Sequence, residues 1–376
     1  MRAVRSSLLS VLSVLSVLLS VLLSGSVKAE ERTGLSLKGY LQTDLSLQVL
    51  STPEADEWLA KVPVTSGNSL LSLQVRTQGL PQAKLEGILD VVSLYGRAAA
   101  LYQQYNPEGS LVTGAVPVYA ELRKLSATYS WERLDLSLGR QIINMGTGTV
   151  YSPVDVFSEV ELLELNFRRR GSDTVRVRVA LDPVSGFEAV ASLPTYDTSG
   201  ALTAQTTSVR LFSTVAGWDV SGLALYRVVD DELLGGLAVK GDLFLGVKGE
   251  LLLRRQAGGR STTVEGMVGA DYSVGGQLFV QGEYYYRDAA LPSLPLYDVH
   301  NVFGSVRYTL DELTHLALVA LVGLPREDLI LTAQVSYNAF QGVELTGFVR
   351  TYRLEAYVDT GLLPKAELGL RTSLRF

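Results

Sequence analysis

The chain has 376 residues, 47% hydrophobic and 19% charged, with no cysteine and two histidines. Zero cysteine excludes disulfide frameworks, thiolate zinc sites and thiol catalysis, and His300 and His315 alone leave little for a histidine metal site. The net charge is −6, and beyond residue 29 it is −9, the wrong sign for a nucleic-acid partner.

Residues 1–29 read as a secretory signal peptide. Arg2 and Arg5 form a basic start, a Leu/Val/Ser run follows from Leu8 to Leu23, and Val27-Lys28-Ala29 offers a small residue for cleavage before Glu30. No later run approaches the ~20 apolar residues of a spanning helix. Residues 30–376 are therefore expected to form one exported domain without helical spans.

From Leu35 onward the pattern is period-two alternation. Leu35 to Val49 keeps one face apolar and the other polar for fifteen residues, which suits a tilted strand crossing a bilayer. Further strands are predicted over 69–79, 83–95, 119–131, 133–142, 174–182, 186–193, 204–213, 217–227, 232–240, 244–255, 261–273, 276–286, 299–309, 314–323, 328–338, 341–352 and 364–376. That makes eighteen, with sixteen as the alternative count. Tight turns such as Pro183-Val184-Ser185 and Ala339-Phe340 alternate with long connections at 51–68, 96–118, 143–173, 194–203, 287–298 and 353–363. Tyr129, Trp131, Trp218, Tyr272, Tyr308, Tyr337 and Phe376 fall at the short-turn ends, and Tyr95, Tyr226, Tyr284 and Tyr286 at the opposite ends. Two aromatic bands mark two membrane interfaces. Only a closed barrel lets strands cross hydrocarbon with every backbone group paired. The expected fold is an all-β, transmembrane, antiparallel up-and-down barrel, short turns periplasmic and long loops outside.

The final segment alternates to Phe376 and resembles the C-terminal signal of bacterial outer-membrane barrels, which implies the barrel assembly machinery and outer-membrane lipid as partners. Gly139-Arg140-Gln141, then Gly146-Thr147-Gly148, then Pro153-Val154-Asp155-Val156-Phe157 resemble a pattern of porin-like and alginate-export-like barrels. Met145 stands where that pattern has Trp. The resemblance implies a channel and is silent on its solute.

Alternation sends both charge signs to the lumen: Lys38, Arg76, Arg176, Arg178, Arg210, Lys248, Glu250, Glu283, Arg307, Arg350 and Arg371 among others. Both signs are present on most of the circumference, eighteen strands leave an aqueous interior, and that interior is expected to be wet and polar. On that basis Glu250→Arg is expected to cost much less than Leu251→Arg on the lipid face. The connection 143–173 is long enough to be functional. It carries Asp155, Glu159, Glu161 and Glu164, then Arg168, Arg169 and Arg170, and is predicted to fold inward as a charged constriction, entered through Gly146 and Gly148. Asp298 and His300 pose an Asp–His pair at a rim, but no nucleophile accompanies them, and the spacing of Glu161 and Glu164 is no evidence for a glycosidase. The reading is a non-enzymatic outer-membrane channel for passive diffusion of small hydrophilic solutes or ions, with no cofactor or metal. The alternative is a barrel for export or assembly of surface polysaccharide.

Overall fold

A computed structural model describes residues 34–50, 64–77, 82–105, 116–256, 259, 262–288, 296, 298–354 and 363–376, apart from 159, 163, 166 and 198. The proposed signal peptide, most of connection 51–68, the turn at Leu80-Pro81 and Glu159 lie outside the described residues.

The strands in chain order are β1 (Leu35–Val49), β2 (Thr65–Thr77), β3 (Ala83–Tyr95), β4 (Val118–Ser130), β5 (Leu134–Gln141), β6 (Ser172–Ala180), β7 (Ser185–Ser192), β8 (Thr195–Tyr196), β9 (Leu202–Ala204) and β10 (Thr206–Val215). They continue with β11 (Trp218–Arg227), β12 (Glu232–Asp242), β13 (Gly246–Gln256), β14 (Thr262–Val274), β15 (Leu278–Arg287), β16 (His300–Thr309), β17 (Thr314–Leu324), β18 (Asp328–Phe340), β19 (Val343–Arg353) and β20 (Ala366–Arg375). Eighteen of these form one sheet, and β8 with β9 makes a separate hairpin. Each barrel strand pairs with its neighbour along the chain, and β1 pairs antiparallel with β20, from Tyr40 opposite Arg375 to Val49 opposite Ala366. At the seam Gly39 and Phe376 exchange two backbone hydrogen bonds of 3.0 Å. The sheet is thus closed and has no free edge, the condition for burial in hydrocarbon.

Its polarity is inside-out. Along β13, Leu251 and Leu253 on the outer face are 40% and 42% exposed, while the alternate residues Glu250 and Leu252 point inward and are buried. Leu45, Leu47, Leu138, Leu211, Leu237, Val268, Leu318, Val335 and Leu368 continue the apolar outer band. Outward-facing Tyr129, Trp131, Tyr272, Tyr308, Tyr337 and Phe376 rim it at the short-turn end, and Tyr226 and Tyr284 at the long-loop end. Among the described residues no helix is long and apolar enough to cross a membrane. The strands make the crossing, and lipid takes the role of the core's second layer.

Three departures from the alternation have local causes. β2 begins at Thr65, four residues before the apolar pattern does, because Gly67 lets its backbone approach β1: a Cβ there would lie 2.6 Å from the Asp44 carbonyl. After β3, Gly96–Tyr105 forms a helix, α1, where a structureless connection was expected. The third is in β4, where Ile88 pairs with Lys124 and Leu89 with Leu122, so Arg123 is an extra, bulged residue. The bulge turns Arg123 inward, to 3.0 Å from Asp90.

Candidate functional site

The connection from β5 to β6 does not stay at the rim. It leaves β5 at Gln141 and reaches wall strands β13 and β15, six and eight positions away around the eighteen-stranded ring. Two wall carboxylates receive it. Glu250 on β13 accepts the backbone N–H groups of Thr147, Gly148 (2.8 Å) and Val154 (3.3 Å), and the Ser152 hydroxyl (2.8 Å). Glu283 on β15 accepts those of Thr149, Val150 (3.0 Å) and Tyr151 (3.1 Å), and Lys248 Nζ bonds both to it and to Thr149 Oγ1. The motif glycines make this possible. A Cβ on Gly146 would overlap Ser152 Oγ, and one on Gly148 would overlap the Tyr151 carbonyl. Asp155 then staples the turn from within, accepting the N–H of Met145 (2.5 Å) and of Gly146 (3.3 Å) and pairing with Arg169. At the loop's base Arg140 forms a two-point ion pair with Asp173.

The loop has two chemically distinct sides. Tyr151, Leu162 and Phe167, with Leu296 and Leu354, pack on inward-facing Met267, Tyr285, Phe303, Leu321 and Ile330 of β14 to β18. Tyr151 stacks on Tyr285 with ring centroids 5.3 Å apart, and its hydroxyl donates to the Leu296 carbonyl at 3.2 Å. The expectation of a wet, polar interior therefore fails in part of this sector. There the inward residues Met267, Tyr285, Phe303, Leu321 and Ile330 are apolar because the loop covers them and water does not reach them.

The other side is charged. Arg168 lies among Asp90 (3.0 Å), Glu161 (3.2 Å), Glu121 (3.8 Å) and Glu164 (3.9 Å). Arg170 pairs with Glu161 at 2.6 Å and with Glu121 at 3.7 Å, and is largely exposed. The acids and bases of the loop thus stand mostly as ion pairs with each other and with β3 and β4, not as free charges. Between this side and β20, β1 and β2 remains a cleft of about 170 Å³, lined by Asp44, Asn68, Glu164, Arg350, Glu367 and Arg371.

The remaining wall charges are scattered. Arg176 and Arg210 each approach the buried Glu188 at 2.6 Å, and Arg178 and Arg210 both lie over the Phe212 ring. Arg210 also donates to the Met145 carbonyl at 3.1 Å, fixing the loop's first turn. Arg76 pairs with Glu86 near β3, while Lys38 and Arg307 are exposed on the inner face, away from the loop. The structure does not bring Asp298 and His300 together as a pair. Asp298 accepts the backbone N–H groups of Val299 (2.8 Å) and Arg326 (2.7 Å), and His300 Nδ1 lies 2.7 Å from the Tyr284 hydroxyl. Sequence reasoning missed Asp90, Glu121, Arg123 and helix α1 as neighbours of the loop. Asp90 alternates inward on β3, but the bulge that adds Arg123 leaves no pattern in the sequence.

No protein-family model matches the chain, and no curated protein matches it either. Solved structures do. OccAB4 of Acinetobacter baumannii aligns with a TM-score of 0.59 at 11% identity, covering 92% of this chain and 99% of that one. The barrel has a porin fold. OccAB2 of the same organism gives 0.57 at 8% identity over 91% and 98% of the two chains. OmpF of Salmonella typhi, in complex with daunomycin, gives 0.50 at 11% identity over 92% and 98%. At these identities the similarity speaks for the fold, so the site has to be read from its own residues.

Proposed function

We propose that the protein is an outer-membrane, porin-like channel through which small hydrophilic solutes or ions diffuse passively. One observation carries this reading: the β5–β6 loop covers the apolar sector of the lumen and leaves a polar cleft beside it. Asp155 and Arg169 act as the loop's internal brace, and Glu161, Glu164, Arg168 and Arg170 form its solute-facing edge. Glu159 belongs to the same acidic run. The porin fold and the apolar outer band support an outer-membrane location. The basic and apolar features of residues 1–29 support export through a cleaved signal peptide, with 30–376 as the mature barrel, and the alternating segment ending in Phe376 supports recognition by the assembly machinery. No step of diffusion needs a catalytic residue or a cofactor. The narrowness of the open cleft favours small solutes over a polysaccharide chain and over the alginate-export type. The purified barrel in a planar lipid bilayer should show ohmic single-channel conductance in KCl. A correctly folded barrel that never conducts would overturn the reading.

A further inference from the structure

The cleft beside the loop holds charges of both signs, but only one sign is available to a visitor. Its two cations are committed. Arg371 grips Asp44 through two hydrogen bonds of 2.7 Å. Arg350 donates to Thr332 (3.0 Å) and to the Tyr352 hydroxyl (3.2 Å), and lies 3.7 Å from Glu367. Both guanidinium groups are more than nine-tenths buried.

Glu164 is in the opposite state. Its side chain is 34% exposed, and its nearest cation is Arg168 at 3.9 Å. That guanidinium donates its hydrogen bonds to Asp90 and Glu161 instead. Among the described residues, no side-chain hydrogen bond reaches the Glu164 carboxylate. An anion entering the cleft thus meets guanidinium groups already paired, Arg371 with Asp44 and Arg350 with Thr332, Tyr352 and Glu367. A cation with N–H groups meets a carboxylate that is 3.9 Å from Arg168 and accepts no side-chain hydrogen bond among the described residues, with Asp44 and Glu367 behind it. Leu94, Ala98, Leu165 and Phe348 complete the wall and offer apolar surface to a short hydrocarbon body. The volume of about 170 Å³, set against the ~30 Å³ a water claims in the liquid, suits an organic ion of a few heavy atoms.

We propose that this cleft is a binding subsite for a small organic cation, a primary ammonium on a short alkyl body, seated with its N–H groups on Glu164. The proposal rests on the channel reading and gives that reading a solute class. The ammonium pairs with Glu164, and the alkyl chain lies against Phe348 and Leu165. Geometry of donors, not charge alone, sets the preference, since a quaternary ammonium of the same charge has no N–H to give.

The test is block of KCl current through single channels in a planar bilayer, with n-butylammonium, tetramethylammonium or butyrate added. Brief blockades are expected from n-butylammonium, about tenfold weaker ones from tetramethylammonium, and none from butyrate. Glu164→Gln should weaken the n-butylammonium block about tenfold, equivalent to ~1.4 kcal/mol. Glu327→Gln, whose carboxylate pairs with Arg353 at the exposed loop end, should leave it unchanged. A conducting channel blocked equally by the two ammonium ions, or whose block survives Glu164→Gln, overturns the subsite and leaves the channel intact. Calorimetric titration of n-butylammonium into the folded barrel in nanodiscs reads the subsite without conduction. Binding that Glu164→Gln does not weaken, or no binding at all, also overturns it.

Discussion

Phe303, Leu321 and Ile330 face the lumen in one sector of the barrel, and Asp44, Glu367 and Arg371 face it in the next. Both sectors are built from the same two-residue alternation, and both point the second set of side chains inward. They differ in what covers them. The β5–β6 loop lays Tyr151, Leu162 and Phe167 on the first sector and turns Glu161, Glu164, Arg168 and Arg170 toward the second. Inside a barrel, therefore, inward does not mean wet. The chemistry of an inward residue follows from the loop that lies on it, and one amphipathic loop divides the lumen into a packed half and a solvated half.

The largest expected effect comes from cutting the loop's attachment. Replacing Glu250 and Glu283 together by Ala strands six backbone N–H groups, those of residues 147–151 and Val154. Each buried donor left unpaired costs ~1–3 kcal/mol, so reversible unfolding in lipid should show a loss of several kcal/mol, and single-channel conductance should rise as the loop lifts. Glu250→Arg alone belongs in this class and not among cheap wall substitutions, because its carboxylate is the loop's dock. Unchanged stability and conductance would mean that the apolar contacts hold the loop by themselves.

On the outer face the cost has another origin. Leu251→Arg should destabilise the barrel by ~2–4 kcal/mol if residue 251 lies near the bilayer midplane, read by the same unfolding experiment. A negligible cost would place Leu251 away from hydrocarbon.

Neutralising the loop's three arginines should alter selectivity, and should also cost some stability because Arg169 braces Asp155. Arg168, Arg169 and Arg170 replaced by Gln should shift the reversal potential in a KCl gradient toward cations, because Asp90, Glu121, Glu161 and Glu164 remain. The shift should shrink with salt as the Debye length falls from ~10 Å at 0.1 M to ~3 Å at 1 M. An unchanged reversal potential at low salt would remove these residues from the solute's path.

The smallest effect concerns the turns that both halves share. The Ser185 hydroxyl and the N–H groups of Val184 and Ser185 hold the Asp182 carboxyl below its ordinary range. The Leu313 and Thr314 N–H groups do the same for Asp311. A carboxylate with a depressed pKa contributes above its ordinary value and loses that contribution as pH falls through the depressed one. Amide hydrogen exchange at Val184 and Leu313 should therefore stay slow through the usual carboxylate range and quicken only below it. Quickening already at the ordinary value would show that these caps are not formed.

Much of the fold is legible in the sequence because its signals are local. Leu251, Glu250 and their like alternate strand by strand, and turns and aromatic bands punctuate them, so eighteen strands and closure follow. The loop's general path is hinted at by Gly146, Gly148 and Asp155, which only a tight re-entrant turn needs together. Its destination is not legible. Glu250 and Glu283 look like any inward acids until Thr147 and Thr149 are seen to donate to them. Met267, Phe303 and Leu321 look like lapses in a polar lumen until Tyr151 and Phe167 cover them. Arg123 turns inward through a bulge, and α1 is a single short helix after a strand. Each of these depends on pairing at long range, which no periodicity records.

The division of the lumen is the central claim, and thiol modification during conduction tests it most directly, because the chain has no cysteine of its own. Ser46→Cys places a thiol in the cleft wall, and Leu321→Cys places one under the apolar side of the loop. A bulky, membrane-impermeant thiol reagent applied to single channels should cut the current steeply through Ser46→Cys and leave that through Leu321→Cys unchanged. Loss of current through Leu321→Cys with none through Ser46→Cys would put the passage on the other side of the loop and contradict the account.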